Sequence, residues 1–204
     1  MTKTKSVTLD IDTAEIANRV ISSGEYWIPR SKSVPFFTFG RSAYLDGKTP
    51  AYTGESKKNN DLLSYLFTNL YIEVTAYLAA ELKEPVYLSE DLAIPGFHIF
   101  RSDPAFLEMS GEWHTDYPHI TLGLGATDAS TFTVPIMLPS GGAGLDWFEG
   151  DKKNYMPYEE GVMVWHTGLE EHRIARLFEY VPGEFRITMQ GHLIRRNGDM
   201  EVFF

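Results

Sequence analysis

Apolar residues near the start of the chain recur at a helical spacing. A short helix is predicted from a capping residue, Asp12 or Thr13, to Gly24, which is placed to end it. Its apolar face consists of Ile16, Val20 and Ile21. One apolar face on a short helix is typical of an element that packs on a larger core.

A longer helix is predicted from about Asp61 to Lys83, where apolar residues recur three and four positions apart. Asn60 or Asp61 would cap this helix, and Pro85 would stop it. The apolar stripe consists of Leu63, Leu66, Phe67, Leu70, Val74, Tyr77 and Leu78. Such a stripe favours a brace that packs on the outside of a sheet over a membrane or partner-binding helix.

The segments between these helices follow a different pattern. After Pro29, turn-punctuated β segments are predicted at 35–40 and 43–47, and the polar run from Thr53 to Asn60 is predicted to be a loop.

From Pro95 onward, short β-type runs alternate with Gly, Pro and Asp. The predicted strands lie at 96–100, 119–124, 131–138, 144–148, 161–166 and 186–194. Six strands at this spacing predict a double-stranded β-helix, which is a jelly-roll, cupin-like barrel. The expected fold class is α+β, a single domain over 1–204 with a helical and β brace at 1–94 and a jelly-roll catalytic core at 95–204.

Composition narrows the functional classes. The formal net charge of −10 disfavours nucleic acid and anionic membranes as partners, because both would be repelled. The chain has no Cys, which excludes disulfides and thiolate metal sites. We find no signal-peptide pattern and no apolar run of membrane-spanning length, so a cytoplasmic protein is expected.

Histidine and carboxylate residues in the second half of the chain suggest a metal site. His114 and Asp116 are two positions apart, so on a strand both side chains would point to the same face. His166 or His172 could add a second imidazole from a later strand. Two imidazoles and one carboxylate are the ligands of non-haem Fe(II) oxygenases, which leave coordination positions open. Taken singly, each of these residues has an ordinary structural role, and the bare His-x-Asp motif is common by chance.

The stretch from Gly111 to Ile194 resembles the core of the Fe(II)- and 2-oxoglutarate-dependent dioxygenase superfamily. That pattern is His-x-Asp, a long segment, a distal His, and then an Arg ten to fifteen residues later, often in Arg-x-Thr. Arg186 follows His172 by 14 residues (186 − 172) and follows His166 by 20 (186 − 166), so the resemblance favours His172. The runs before residue 166 and around 140–148 also resemble strands of this family, whereas residues 1–94 carry none of its motifs.

The resemblance implies that His114, Asp116 and His172 bind Fe(II), with 2-oxoglutarate and O2 as co-substrates. Arg186 would pair with the C5 carboxylate of 2-oxoglutarate, and Thr188, on the same strand face, would donate its hydroxyl to it. Halogenating members have a small residue in place of Asp116, so its presence here favours hydroxylation of an unactivated C–H bond.

The substrate is expected to be a small molecule, either a free amino acid or a natural-product intermediate, because the chain has little beyond the barrel and its brace. The candidate substrate residues are His119, His98, Arg101, Asp146, Gln190 and His192. Gln190 and His192 continue the alternation from Arg186 and Thr188 and so share their face.

Three other functions remain compatible with these residues. A peptidyl, prolyl-type hydroxylase would use the same site in a more open groove. A metal cupin without 2-oxoglutarate would leave Arg186 without a role. A non-catalytic barrel that binds a sugar or a protein would need no metal.

Overall fold

The computed structural model describes residues 4–47, 49–108, 110–125 and 127–204. The helices are α1 (Thr13–Ser22), α2 (Ala43–Asp46), α3 (Pro50–Leu66), α4 (Thr68–Leu82) and α5 (Pro118–Thr121), with 3-10 turns at Gly24–Tyr26 and Pro104–Leu107. The strands in the first half are β1 (Lys5–Thr8), β2 (Ile28–Pro29), β3 (Phe36–Phe39), β4 (Val86–Leu88) and β5 (Gly96–Arg101). Those in the second half are β6 (Thr127–Met137), β7 (Gly144–Glu149), β8 (Lys152–Pro157), β9 (Val162–His166), β10 (His172–Ile174), β11 (Phe185–Arg196) and β12 (Asp199–Phe203).

The strands form two sheets. The larger sheet has the order β1-β9-β6-β11-β5-β3-β2, and β12 pairs with the far half of β11. β4 joins β12 in parallel, whereas the other strand pairings in the described part of the chain are antiparallel. The smaller sheet has the order β10-β7-β8. The fold is therefore mixed α and β, with mainly antiparallel sheets.

The long strand β11 has two chemically different faces. Ile187, Met189 and Leu193 are fully buried in the main hydrophobic core. The alternate residues, from Arg186 to His192, point to the opposite face, because successive side chains on a strand alternate. One strand thus contributes both to the core and to a polar interior.

Helices α1, α3 and α4 pack on the apolar face of the larger sheet. Their buried residues Val20, Leu63, Leu70 and Val74 belong to the same hydrophobic core as the β11 residues. The cap predicted for the first helix is confirmed, since the Asp12 carboxylate accepts a hydrogen bond of 2.9 Å from the backbone N–H of Glu15. The helix ends at Ser22, two residues before the expected Gly24.

The predicted helix over 61–83 is wrong in its boundaries. Two helices, α3 and α4, cover this region, and the chain leaves helical geometry at Phe67, where φ is −126°. α3 begins at Pro50, so the predicted loop at 53–60 is helical. The polar residues there lie mostly at exposed or half-exposed positions, and polarity alone does not distinguish a solvated helix face from a loop.

Two strand predictions are also wrong. Residues 43–46 form α2 and residues 118–121 form α5, in which Pro118 occupies the first turn. Both are single helical turns of four residues, too short for a helical period to appear in the sequence. The strands predicted after residue 130 are present with shifted ends, whereas β1, β2, β4, β8, β10 and β12 were not predicted.

Among the described residues, no helix combines the length and apolar character needed to cross a lipid bilayer.

Candidate metal centre

Backbone pairing brings the two predicted ligand segments together. His114 and His172 form an antiparallel bridge, with N–H to O distances of 3.0 and 2.9 Å in the two directions. The backbone N–H of Asp116 also donates to the carbonyl of Gly168 at 2.8 Å. His172 begins β10, and β7 holds that strand in the smaller sheet. The His-x-Asp segment is therefore anchored by backbone bonds and lies outside the named strands.

His114, Asp116 and His172 form a group that could hold a metal ion, because one ligand atom from each lies within 4.8 Å of the others. Asp116 Oδ1 is 3.8 Å from His114 Nε2, and Asp116 Oδ2 is 3.2 Å from His172 Nε2. His172 and Asp116 are buried, while His114 is partly exposed at the rim.

The two histidines are oriented in the same way. Nδ1 of His114 is 2.8 Å from the carbonyl oxygen of Glu112, and Nδ1 of His172 is 2.8 Å from that of Glu170. A carbonyl oxygen can only accept, so each Nδ1 carries a proton, and in the neutral ring each Nε2 presents a lone pair. This tautomer is the one required of a histidine that binds a metal through Nε2.

His166 has the opposite orientation. Its Nδ1 accepts a hydrogen bond of 3.0 Å from the backbone N–H of Gly168, so in the neutral ring the proton is on Nε2. Burial lowers the pKa of His166 to about 4, which keeps the ring neutral at physiological pH. Its Nε2 therefore has no lone pair to offer, although the ring lies 4.8 Å from that of His172.

The environment of the Asp116 carboxylate indicates whether the site suits a cation. Burial opposes its ionisation, but the contact with His172 and the other nearby histidines outweighs burial and holds the pKa of Asp116 well below its usual range. Its buried Oδ2 nevertheless makes no hydrogen bond of acceptable geometry within the described part of the chain. Burial also opposes the charged form of His172, but the contact with Asp116 outweighs burial and raises the pKa of His172. Asp116 thus favours a positive charge beside it, which a proton on His172 Nε2 can supply and which an iron ion bound by both side chains would supply in its place.

A cavity of about 400 Å³ contains this group. Its lining includes the three candidate ligands together with Arg186, Thr188, Gln190, His192 and His98. The cavity is thus bounded on one side by the polar face of β11. A larger groove of about 800 Å³ lies near β4 and β12 and shares none of these residues.

Arg186 is the most unusual charge in this cavity. The residue is 6% exposed, and none of the carboxylates in the described part of the chain forms an ion pair with it. Its neighbours are aromatic, with the guanidinium carbon 5.4 Å from the Tyr158 ring and 5.7 Å from the Phe100 ring. Burial lowers the pKa of Arg186, yet an arginine stays protonated at physiological pH. A buried cation of this kind needs an anion.

His192 presents a further polar atom without a partner. Its Nδ1 is 3.0 Å from the hydroxyl of Thr131, whereas its buried Nε2 has no hydrogen-bond partner among the described residues. Burial lowers the pKa of His192 to about 4, so the ring is neutral. The side chain can therefore hydrogen-bond to a molecule in the cavity.

Three of the predicted substrate residues lie outside the metal cavity. His119 is on α5 and does not line the metal cavity. Arg101 is exposed and packs over the Phe185 ring at 5.6 Å, because it lies an odd number of positions from His98 on β5 and so points to the other face. Asp146 is already paired with Arg173 at 3.1 Å and Lys153 at 3.0 Å. The structure does not bring these three side chains to the cavity.

Several residues that line the cavity were not predicted from the sequence, and three of them are polar side chains on or beside the strands and helices around it. Thr133 faces inward on β6, and strand alternation could have identified it. Tyr158 follows the unpredicted strand β8, and Tyr44 lies on α2, which was predicted to be a strand. The Tyr44 hydroxyl is 2.6 Å from Nε2 of His98, and no local pattern signals this contact.

Comparison with solved structures identifies the fold. The chain is similar to an N-substituted L-amino acid dioxygenase from Burkholderia ambifaria AMMD, at 12% identity and a TM-score of 0.59, over 100% of this chain and 87% of that one. An oxidoreductase of the 2OG-Fe(II) oxygenase family from Burkholderia pseudomallei gives a TM-score of 0.59 at 10% identity, over 96% and 86% of the two chains. The epimerase SnoN from nogalamycin biosynthesis gives 0.54 at 10% identity, over 96% and 79%.

The chain therefore has the fold of the Fe(II)- and 2-oxoglutarate-dependent oxygenases, and the resemblance inferred from the sequence is confirmed at the level of the fold. No protein-family model and no curated protein sequence matches it.

Proposed function

We propose that this protein is an Fe(II)- and 2-oxoglutarate-dependent oxygenase that hydroxylates an unactivated C–H bond of a small molecule. His114, Asp116 and His172 would hold the iron, and Arg186 with Thr188 would hold 2-oxoglutarate. In this proposal the two sheets are the walls of a jelly-roll barrel, and residues 95–204 are its catalytic core.

The observation that carries the proposal is the position of Arg186. This buried guanidinium, which has no ion-pair partner among the residues that the structure describes, lines the same cavity as the three candidate iron ligands. An unpaired buried charge is costly, so its presence is best explained by an anion that binds during function. 2-Oxoglutarate supplies a carboxylate at one end and metal-chelating oxygens at the other, which suits a cavity with the arginine and the metal ligands in its walls.

Bound Fe(II) with 2-oxoglutarate supplies the power to activate O2 and attack a C–H bond. The residues of the chain bind and orient. The Nδ1 hydrogen bonds of His114 and His172 hold both rings with Nε2 turned toward the metal. The planar guanidinium of Arg186 can bind a carboxylate through two N–H groups, which fixes the co-substrate in direction as well as in place.

The nature of the substrate is supported by the fold and the lining of the cavity. Two of the similar solved proteins are described as an N-substituted L-amino acid dioxygenase and as an epimerase from nogalamycin biosynthesis. We infer that this chain also acts on a small molecule, an amino acid derivative or a natural-product intermediate. His98, Gln190 and His192 are the candidate contacts, because each lines the metal cavity.

The test is anaerobic addition of Fe(II) and then 2-oxoglutarate to the metal-free protein. We expect a weak visible charge-transfer band, because 2-oxoglutarate chelated to Fe(II) absorbs there and free Fe(II) does not. Succinate should form when O2 is admitted. Iron binding without any band or succinate would contradict the proposal and favour a cupin that does not use 2-oxoglutarate. Absence of metal binding would favour a non-catalytic barrel.

A further inference from the structure

A second cavity adjoins the metal cavity. It has a volume of about 620 Å³, within the range of roughly 300–1,000 Å³ found for small-molecule sites. Five residues line both cavities: Tyr44, His98, Glu112, Ile174 and Arg186. Because these residues form a common boundary, one ligand can occupy parts of both spaces.

The walls of this second cavity, which we call the aromatic pocket, are mainly apolar. Phe36 and Phe100 stack with ring centroids 4.4 Å apart and an interplanar angle of 4°. Phe106 meets Phe100 edge to face at 5.7 Å. Val34, Ala175 and Leu177 complete the apolar lining. Edge and face contacts of this kind favour a ring or a branched aliphatic group.

The two arginines that line the aromatic pocket, Arg30 and Arg186, already have a partner or an assigned ligand. Arg30 binds Asp46 through two hydrogen bonds of 2.7 and 2.6 Å and donates a third to Thr38, so it has little capacity for a ligand. Arg186 is assigned to 2-oxoglutarate, and Glu112 lies exposed at the mouth. An anionic arm therefore finds no free cation in the pocket, and a cationic arm would meet only the solvated carboxylate of Glu112, where an ion pair contributes little.

The boundary between the cavities is polar but neutral. His98 and Tyr44 bond to each other at 2.6 Å, and burial lowers the pKa of His98 to about 3. A neutral dyad can bond to a polar linking group without requiring an ion.

We propose that the aromatic pocket is a substrate subsite for an uncharged aromatic or branched aliphatic arm, carried by a molecule whose reacting end lies in the metal cavity. This inference rests on the proposed function for the reacting end. It narrows the substrate class, since an unsubstituted small polar amino acid would leave the pocket unfilled.

The pocket can be tested with fragments that need neither iron nor turnover. Phenylacetamide carries an aromatic arm and a neutral amide, whereas acetamide carries the amide alone. Saturation-transfer NMR should detect binding of phenylacetamide and not of acetamide. Phe106→Ala should weaken phenylacetamide binding roughly tenfold by removing an aromatic contact. Phe178→Ala is the matched control, because Phe178 is 65% exposed and does not line the pocket.

A second pair of variants covers the case in which Phe106→Ala perturbs folding. Ala175→Phe should fill the pocket and abolish binding, whereas Ala76→Phe on the exposed surface of α4 should not. Equal phenylacetamide affinity in Ala175→Phe and the native protein, or equal binding of both amides, would overturn the proposal.

A paramagnetic measurement links the subsite to the metal. With Mn(II) bound to the native protein, the ring protons of phenylacetamide should relax faster than with Zn(II). Binding in the pocket without such relaxation in a protein that holds Mn(II) would refute the subsite's place beside the reacting end. If neither Mn(II) nor Fe(II) binds, the proposed function fails, while the fragment data still decide whether the pocket takes an apolar arm.

Discussion

The carboxylate Oδ2 of Asp116 lies 3.2 Å from Nε2 of His172. The Nδ1 proton of His172 points to the Glu170 carbonyl, so in the neutral ring a lone pair of Nε2 faces the carboxylate. Two buried electron-pair donors at this distance are stabilised by a cation placed between them. This relationship distinguishes His172 from His166, whose Nδ1 is an acceptor.

His172→Ala should lower the affinity for Co(II), a spectroscopic substitute for Fe(II), by more than about 100-fold, because removing a ligand costs more than removing an outer partner. His166→Ala should change the affinity by only a few fold. Anaerobic titration followed by visible absorption measures both. Equal losses in the two variants would mean that His166 is also a ligand.

Arg186→Met should raise the free energy of unfolding by about 1–3 kcal/mol, because a buried charge without a partner is replaced by an apolar side chain. The same change should abolish 2-oxoglutarate binding. Chemical denaturation and calorimetry give the two quantities, and Arg101→Met, which removes an exposed guanidinium, should leave both nearly unchanged. A destabilised Arg186→Met protein that still binds 2-oxoglutarate would argue against an anion site.

Gly168→Ala should weaken metal binding. At Gly168 φ is +71°, and an added Cβ would lie 2.8 Å from Thr131 Oγ1 and 3.0 Å from Asp116 Cβ, so the carboxylate must shift. Gly123→Ala is a matched control, since its φ is +68° but no atom lies within 4 Å of the added Cβ. Both variants should lose about 1–2 kcal/mol from the left-handed backbone. Only Gly168→Ala should lose Co(II) affinity, and the same affinity in both variants would show that Asp116 is not held by this contact.

Asp46→Asn should destabilise the protein by about 3–5 kcal/mol, because it leaves Arg30 buried without its partner. Burial opposes ionisation of Asp46, but the hydrogen bonds from Arg30 and Ser42 outweigh it and lower its pKa below 3.8. The folded pKa is below the unfolded one, so this stabilisation is present above about pH 3.8 and is lost as the pH falls further.

Urea unfolding at pH 7 and at pH 3 measures that dependence. Glu55→Gln serves as the control, since its pair with Arg41 is exposed on the glutamate side and should contribute less than about 1 kcal/mol. A stability difference between native and Asp46→Asn that is as large at pH 3 as at pH 7 would contradict the assignment.

The sequence pattern predicted the structure correctly in segments where a single periodicity dominated. The alternation of side chains along β11 correctly placed four polar residues on one face of the strand: Arg186, Thr188, Gln190 and His192. The pattern is clear there because the other face packs in the hydrophobic core, whereas this face lines the cavity. It failed at Phe67, where a well-buried apolar residue continues the helical stripe although the backbone breaks. Hydrophobic spacing reports which side chains are buried and does not report whether the backbone between them is continuous.

The prediction for Arg101 did not take the alternation of side chains along a strand into account. It was grouped with His98 although three positions separate them, and on a strand that spacing puts the side chains on opposite faces. Asp146 does not reach the cavity for another reason. Its cationic partners Lys153 and Arg173 lie on β8 and β10, and the register of these strands against β7 could not be predicted from the sequence.

By itself the sequence determined the candidate ligand types, their spacing and the combination of N-terminal helices with later β-strands, because side-chain chemistry and period are local properties. The spacing to Arg186 already favoured His172 over His166, and the tertiary structure adds a physical reason for that preference, which is the carbonyl or N–H that each imidazole Nδ1 meets. Only the tertiary structure decided that Arg186 is a buried cation without an ion-pair partner among the described residues. Hydrogen-bond partners and charge pairing arise where distant strands meet, and no local pattern encodes them.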